Sequence, residues 1–489
     1  VGSVRGVSVT SVSFYPYQYN EEKDEIIENI SFEAEVTFVR DNNIQVTRPV
    51  RDLPGSDMSR MLDRILLNKP HRDPYSEVQA DHRGRILILH QDNDDFGENE
   101  QLWVDSLANW KRQMGYSVEI LAVNVNVQEG GLTGLEVRNQ IVRERYINQE
   151  DPLSYLIIIG ADSVQQRLWF PTVTDDVSGD HLYSVMVEDN EDDIYLSDIA
   201  VGRFHCYDFS ELRGAILRSI LYEREPYLDR GDEWFTSALV HAENIAVPGG
   251  GFVPSMIHLG RWEFVKLTRA GYSVDTLWVP DEDIDADDET RRLLEDGRSF
   301  VSSRGWLEAC FDVTGDDPIL AFVGRKNPFV LAITCLSTPT QSRFFRSATQ
   351  NTINGSINAI SLDNLSHSKV NNSFIGGALR SFVDFGLLNA GSILNLGKFQ
   401  LWSDNRYELA GWALENVAIT RLMGDPTTKL FTKVPVELTA HYTDALTLGS
   451  RGFSVYVEAA GEIVPGAWVT IWQEDRLHLV CQPGEDGWA

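Results

Sequence analysis

RILILH, residues 85–90, is a short apolar run closed by charged or polar residues, the pattern of a strand covered on both faces. Downstream, Trp103, Leu107, Trp110 and Met114 recur at helical spacing, and Gly115 sits where a helix C-cap belongs. YSVEILAV (116–123) predicts the next strand, residues 133–147 a helix, and YLIIIG (155–160) a third strand. Strands and helices that alternate in this way build a parallel sheet with helices on its faces.

The alternation continues through the second half. DIAVGRF (198–204), SALVHA (237–242), YSVDTLWV (272–279), FVSS (300–303), PFVLAITC (328–335) and AGSILNLG (390–397) read as strands. Helices are expected over 209–224, 254–270, 288–296, 374–386 and 405–422. Between them, residues 340–373 are rich in Ser, Asn and Thr with little periodicity, and read as a long loop, which is often functional. Residues 1–80 look β-rich and irregular, with SFEAEVTFV (31–39) alternating as a half-buried strand does and no helix signal before Met58. After MGDPTTKLF (423–431), FSVYVEA (453–459) and GAWVTIW (466–472) are strand-like and suggest an immunoglobulin-like sandwich. So few residues remain that this module is expected to continue past Ala489. The simplest partition is 1–80, 81–230, 231–431 and 432–489.

Composition narrows the partners. The chain of 489 residues carries 42 basic and 73 acidic residues, a net charge of −31. Binding to nucleic acid needs clustered Lys and Arg, so this balance argues against a nucleic-acid partner. Solubility, a salty habitat or a cation-binding surface all fit such a charge. Cys206, Cys310, Cys335 and Cys481 are too few and too scattered for a disulfide framework or a zinc site. No apolar run reaches the roughly 18 residues of a membrane span. The sequence starts at Val1 without Met, as either a processed or a trimmed N-terminus does.

Several segments, taken in order, resemble the gingipain family of cysteine peptidases. RILILH with ANWKRQMGYSVEI (108–120) is similar to the family's opening strand, helix and strand, and YLIIIGADSV (155–164) to the next strand and loop. GDHLYS (179–184), SDIAVGRF (197–204) and ELRGAILRSILYE (211–223) follow in the same order. GRSFVSSRGWLEAC (297–310) stands where the family has a strand ending in His-Gly, and NPFVLAITC (327–335) where it has the strand ending in the nucleophile. LMGDPTTKLF (422–431) is similar to the junction into an immunoglobulin-like module. The resemblance implies a caspase-like α/β fold in two successive subdomains, a β-rich N-terminal region, a C-terminal sandwich, and a secreted or surface-attached endopeptidase.

A cysteine peptidase needs a thiolate and an imidazole that later protonates the leaving amine. Both belong at the C-terminal ends of adjacent parallel strands. Cys335 fits the nucleophile position, although a cysteine at a strand end is also an ordinary buried residue. The resemblance favours the nucleophile. Before Gly305, however, stands Arg304 in place of the family's His. Arginine stays protonated at any working pH and cannot shuttle a proton. Its charge can still favour a thiolate. His181, His205 and His241 are the histidines that could restore a dyad, each also readable as an ordinary loop residue. Cys310 could pair with Cys335, which would block the nucleophile.

Three acidic stretches are candidate calcium loops, with ligands drawn from Asp92, Asp94, Asp189, Asp192, Asp193, Asp281, Asp283 and Asp285. None has EF-hand spacing, and a solvated acidic loop is the plain alternative. Gingipain-like domains carry calcium, which the resemblance therefore implies as the cofactor, with no organic one. By the resemblance, Asp180 and Asp198 match family positions near the substrate cleft and are pocket candidates with His181, which lies in the GDHLYS loop near it. Three functions stay open: a catalytically silent surface protein binding a protein or peptide, an active endopeptidase with a rearranged dyad, and a structural subunit of an extracellular assembly, homo-oligomeric or mixed.

Overall fold

The structure is a computed structural model that describes residues 2–12, 17–20, 23–28, 31, 33, 56–67, 81–92, 97–147, 149–174, 179–188, 192–228, 232–246, 252–253, 255–279, 286–305, 324–338, 353–445, 452–464, 467–473 and 477–489. The chain opens with β1 (Gly2–Val4) and β2 (Val7–Val9), then the hairpin β3 (Tyr17–Asn20) and β4 (Glu25–Glu28), then α1 (Asp57–Ile65). The strand expected over 31–39 falls almost wholly outside the described residues. Next come β5 (Arg85–Gln91), α2 (Glu98–Gln113), β6 (Ser117–Val123), α3 (Gly134–Val137), β7 (Leu153–Ile159), β8 (Ala200–Phe204) and α4 (Phe209–Arg224). Thr133 and Glu136 form a capping box at the start of α3, so its first turn is held by the chain's own side chains.

The second half supplies β9 (Ser237–Glu243), the small pair β10 (Ile245–Ala246) and β11 (Phe252–Val253), α5 (Ser255–Arg269), β12 (Ser273–Val279) and α6 (Ala286–Asp296). It continues through β13 (Phe300–Arg304), β14 (Phe329–Ala332), β15 (Asn358–Leu362), α7 (Ser368–Val383), α8 (Ala390–Asn405), α9 (Ala410–Ile419) and β16 (Thr420–Met423). Both halves meet in one ten-stranded sheet of order β12-β9-β13-β14-β15-β16-β8-β7-β5-β6. Every neighbouring pair is parallel except β15 and β16, which run antiparallel. The sheet is therefore two five-stranded parallel blocks pointing in opposite directions, joined at their inner edges.

The central strands are apolar because both faces are covered. All seven residues of β7 are buried, and each fully buried Ile or Leu contributes roughly 1.5–3 kcal/mol. One face carries the large core that includes Ile86, Ile157, Phe300, Phe374 and Trp402. The other carries Leu87 and Ile158 in the first block, and Leu239, Leu294 and Val301 in the second.

Three expectations are corrected. Residues 390–397 form the first half of α8, not a strand. Every position from Ala390 to Lys398 is buried, and a segment covered on all sides shows no helical period to read. The long loop over 340–373 holds β15 and the first turns of α7. The helix expected over 405–422 ends at Ile419, and its last residues are β16.

Beyond residue 431 the chain forms small antiparallel sheets. β17 (Thr439–His441), β18 (Tyr456–Ala459) and β19 (Glu462–Ile463) make one, and β20 (Val469–Gln473) pairs with β21 (Leu477–Cys481). Among the described residues no helix is long and apolar enough to cross a membrane.

Candidate active site

Strands β13 and β14 are parallel neighbours in the register Phe300↔Phe329 and Ser303↔Ala332, so their C-terminal ends emerge side by side. Gly305 follows β13 with φ +141, and a Cβ there would come within 2.4 Å of Glu243 Cβ. Only glycine passes this point without strain. Its carbonyl accepts a hydrogen bond from Thr334 Oγ1, which ties the two strand ends together. The turn after β14 carries Leu336 at φ +54, a left-handed conformation outside glycine. Leu336 N donates to Asn364 O at 3.3 Å and Ser337 N to Leu362 O at 3.0 Å, so the loop is pinned to the end of β15. Ser337 Oγ donates to Thr334 O at 2.9 Å and accepts from Leu362 N at 3.1 Å.

Cys335 rides on this pinned turn, half-buried and with a free thiol. Among the described residues its sulfur meets only Ser366: the backbone N–H donates to Sγ at 3.3 Å, the hydroxyl stands at 3.4 Å, and the carbonyl at 3.9 Å. Cys310 lies outside the described residues.

Arg304 is 2% exposed, beneath the cysteine loop. Its Nη1 donates to Ile333 O at 2.7 Å, its Nη2 to Ser368 Oγ at 3.1 Å, and its Nε and Nη2 to Asn372 Oδ1 at 3.2 and 3.0 Å. All these acceptors are neutral. Burial pulls its guanidinium down to about 10, with the charges of Glu263 and Cys335 acting the other way. Glu263, on α5, is 1% exposed. Burial pushes its carboxyl up to about 7, against the nearby Ser302 hydroxyl and the charge of Arg304.

Residue alternation along β13 separates His241 from this face. Ser303 Oγ lies 3.3 Å from His241 Nδ1, whereas Ser302 and Arg304 point to the α5 and α7 side. Burial drives the His241 imidazole down to about 3, so it is neutral in its place under the sheet. Against the other wall, Ser368 and Asn372, which hold Arg304, also line a cavity of about 470 Å³ with Ser255, Lys369, Gln400 and Asp404.

The structure gathers Cys335, Arg304 and Gly305. The expected pocket residues Asp180, His181 and Asp198, and His205, lie in the first block. Asp180 is held by Arg203 through Nε at 2.9 Å and Nη2 at 2.6 Å. His181 Nε2 faces Ile194 O at 2.7 Å, and its Nδ1 faces Lys398 Nζ at 3.2 Å. His205 Nε2 stands 3.4 Å from Asp162 Oδ1. Asp198 accepts from Arg5 N at 2.7 Å, Met186 N at 2.8 Å and Val187 N at 3.1 Å, anchoring the N-terminal hairpin. These groups are buried, and Asp180 and His181 line a small cavity with Lys398 and Arg421. Of the calcium candidates, Asp193 accepts from Ser3 N at 2.7 Å and Asp192 from Trp402 Nε1 at 3.2 Å. Asp92 is exposed, and Asp94, Asp189, Asp281, Asp283 and Asp285 lie outside the described residues. Among the described residues no group of three or more His, Cys, Asp or Glu could hold a metal ion.

Sequence reasoning missed Ser366, Asn371 and Asn372. They sit where a structureless loop was expected, and only the start of α7 at Ser368 turns them toward the strand ends.

A cysteine after one parallel strand, set beside a neighbour that ends in glycine, on a sheet walled by helices, is the architecture of a caspase-like cysteine peptidase. The model of peptidase family C25 matches residues 80–431, and the chain belongs to that family. It is 21% identical over 273 residues to gingipain R1 of Porphyromonas gingivalis, covering 55% of this chain and 25% of that protein. It is 22% identical over 276 residues to gingipain R2 of the same species, covering 55% and 34%. The chain thus spans about a third or less of the length of the curated relatives it matches. The crystal structure of the Arg specific cysteine proteinase gingipain R superposes with a TM-score of 0.68 at 17% identity, over 86% of this chain and 92% of that one. A structure described only as a protease gives 0.64 at 15% identity, over 83% and 90%. At these identities the superpositions establish the caspase-like fold.

Proposed function

We propose that this gingipain-like chain does not turn over peptide bonds and that its Cys335 site binds a protein or peptide, outside the cell or at its surface. The observation that carries this reading is the company of the sulfur: Ser366 and a buried Arg304, with no imidazole in hydrogen-bond contact among the described residues. Peptide hydrolysis needs a proton delivered to the leaving amine. A serine hydroxyl and a guanidinium do not deliver it at neutral pH, and such acid catalysis is typically worth about 10²–10⁴-fold. Binding has support of its own. Leu336 and Leu365 hold 42% and 54% of their surface in solvent beside Cys335 and Ser366, and a cavity lies against Ser368 and Asn372, which hold Arg304. The net charge of −31 suits an exported protein. The antiparallel strands after residue 431 fit an immunoglobulin-like module.

One observation favours a second reading, an active endopeptidase with a rearranged dyad. His367 follows Ser366 directly, with its ring 5.7 Å from that of Trp412. A rotation away from Trp412 would be needed to serve Cys335. The deciding experiment is hydrolysis of fluorogenic peptides with varied residues before the cleaved bond, comparing the native chain with Cys335→Ser. Equal background rates are expected. Turnover that disappears in Cys335→Ser overturns the first reading, and its further loss in His367→Ala would assign the acid.

A further inference from the structure

A line of buried side-chain amides leads to the Cys335 sulfur from the middle of the helical layer. Asn416 Nδ2, on α9, donates to Asn371 Oδ1 at 2.6 Å. Asn371 Nδ2, on α7, donates to Ser366 Oγ at 2.7 Å. Ser366 Oγ then stands 3.4 Å from Sγ. Asn371 and Asn416 are 3% and 0% exposed, so water does not compete for these contacts. Both are costly to bury without partners, and the Nδ2 contacts run in one direction toward Ser366.

Direction is what gives the line a chemical sense. A hydroxyl oxygen that accepts from an amide keeps its single proton to give. The Ser366 hydroxyl is thereby turned to donate to sulfur, beside the Ser366 backbone N–H that already donates at 3.3 Å. The Ser366 carbonyl, which could take an S–H proton, is farther at 3.9 Å. Two donors and one distant acceptor favour a sulfur that accepts, and a charged acceptor makes such bonds shorter and stronger.

We propose that Ser366, oriented by Asn371 and Asn416, is a positioning residue that holds Cys335 as a thiolate. This rests on the reading that the Cys335 site is retained for binding, yet it concerns the state of the sulfur and not turnover. It also gives Asn371, which heads an Asn-Asn-Ser glycosylation sequon, a role inside the fold where no glycan could be attached.

The test is alkylation of the full chain by iodoacetamide, with the modified cysteine identified by peptide mass mapping. The thiolate sulfur displaces iodide as the S–C bond forms, so the rate reports the charged form. At neutral pH, Ser366→Ala is expected to slow modification of Cys335 about tenfold, the order of one charge-assisted hydrogen bond, while exposed Cys481 reacts unchanged. Because alkali ionises the thiol with or without donors, the deficit should close as pH rises. Asn371→Asp, which can only accept, should take the Ser366 proton away from sulfur and slow Cys335 as well. Native-like rates in both variants would overturn the proposal. So would a deficit that stays constant with pH, because that marks lost packing and not lost thiolate. Peptide turnover by the native chain would sink the silent-site reading and leave this measurement untouched.

Discussion

Arg304 and Arg421 are both buried arginines in the one sheet, and they are held in opposite ways. Arg421, on β16, stands 2.8 Å from Asp162, 2.8 Å from Asp363 and 3.3 Å from Asp180. Burial works against its charge, but the carboxylates of Asp363, Asp180 and Asp162 outweigh that and hold the guanidinium well above its ordinary value. In return Arg421 holds Asp162 well below the usual carboxylate range despite burial. Arg304 meets only carbonyls, a hydroxyl and an amide, and burial lowers it to about 10. One arginine is neutralised where it stands and braces the seam between the two blocks. The other makes no ion pair among the described residues and keeps its charge near a thiol and a Glu263 carboxyl raised to about 7. The same residue type is structure in one place and electrostatic influence in the other.

The sharpest break of this comparison is Arg421→Met. It leaves Asp162, Asp180 and Asp363 facing one another with Arg203 and Lys398 near, and stripping one partner from a buried cluster typically costs about 3–5 kcal/mol. Denaturant unfolding at pH 7 reads this directly, and a loss below about 1 kcal/mol would mean the seam is not braced by charge. Next in size is Glu263→Gln. Glu263 is raised to about 7 in the folded chain from an ordinary 4.5. Between those values the native state holds a proton that the unfolded chain releases, so wild-type stability falls as pH rises through this window and levels off above it. The glutamine variant lacks that loss and should gain on the wild type by up to roughly 3 kcal/mol between pH 4.5 and pH 8. A difference that does not change with pH would place an ionised Glu263 beside Arg304 throughout.

Arg304→Met should cost less than Arg421→Met, roughly 1–2 kcal/mol, because orphaned acceptors are offset by relief of a desolvated charge. Equal losses for the two arginines would erase the distinction drawn between them. The smallest effect is expected from Lys369→Ala. Lys369 pairs with Glu408 at 2.8 Å, but the side chains are 56% and 73% exposed. Such a pair is worth about 0–1 kcal/mol. Unfolding of this variant within error of the wild type would show that pairing braces the fold only where water is shut out.

The sequence shows the outer strands and hides the join. RILILH, YLIIIG and SALVHA announce themselves because each is a run of apolar residues between polar ends. β15 and β16 do not. NAISL and TRLM mix polar residues into the sheet centre, where Asn358, Ser361, Thr420 and Arg421 are all buried. Those polar residues read as loop or helix end, since their partners come from distant parts of the chain. Cys335 and Gly305 were legible at their strand ends, and Arg304 was legible as an oddity. What it touches was not, because Ser368 and Asn372 reach it only once α7 has packed across the strands. Alternation alone also could not tell that the buried segment Ala390–Lys398 is helical.

The antiparallel seam has a consequence for how the molecule is made. β16 comes last of the ten strands in sequence but lies near the middle of the sheet, between β15 and β8. A ribosome delivers the first block long before it delivers β16, with on the order of 200 residues in between, which at about 5–20 residues per second is tens of seconds. Through that interval β8 is an open strand edge beside Arg203 and Asp180. An open edge invites pairing with the wrong chain. Arg203 and Asp180, made with the first block, therefore guard this edge before Arg421 arrives to brace the finished one.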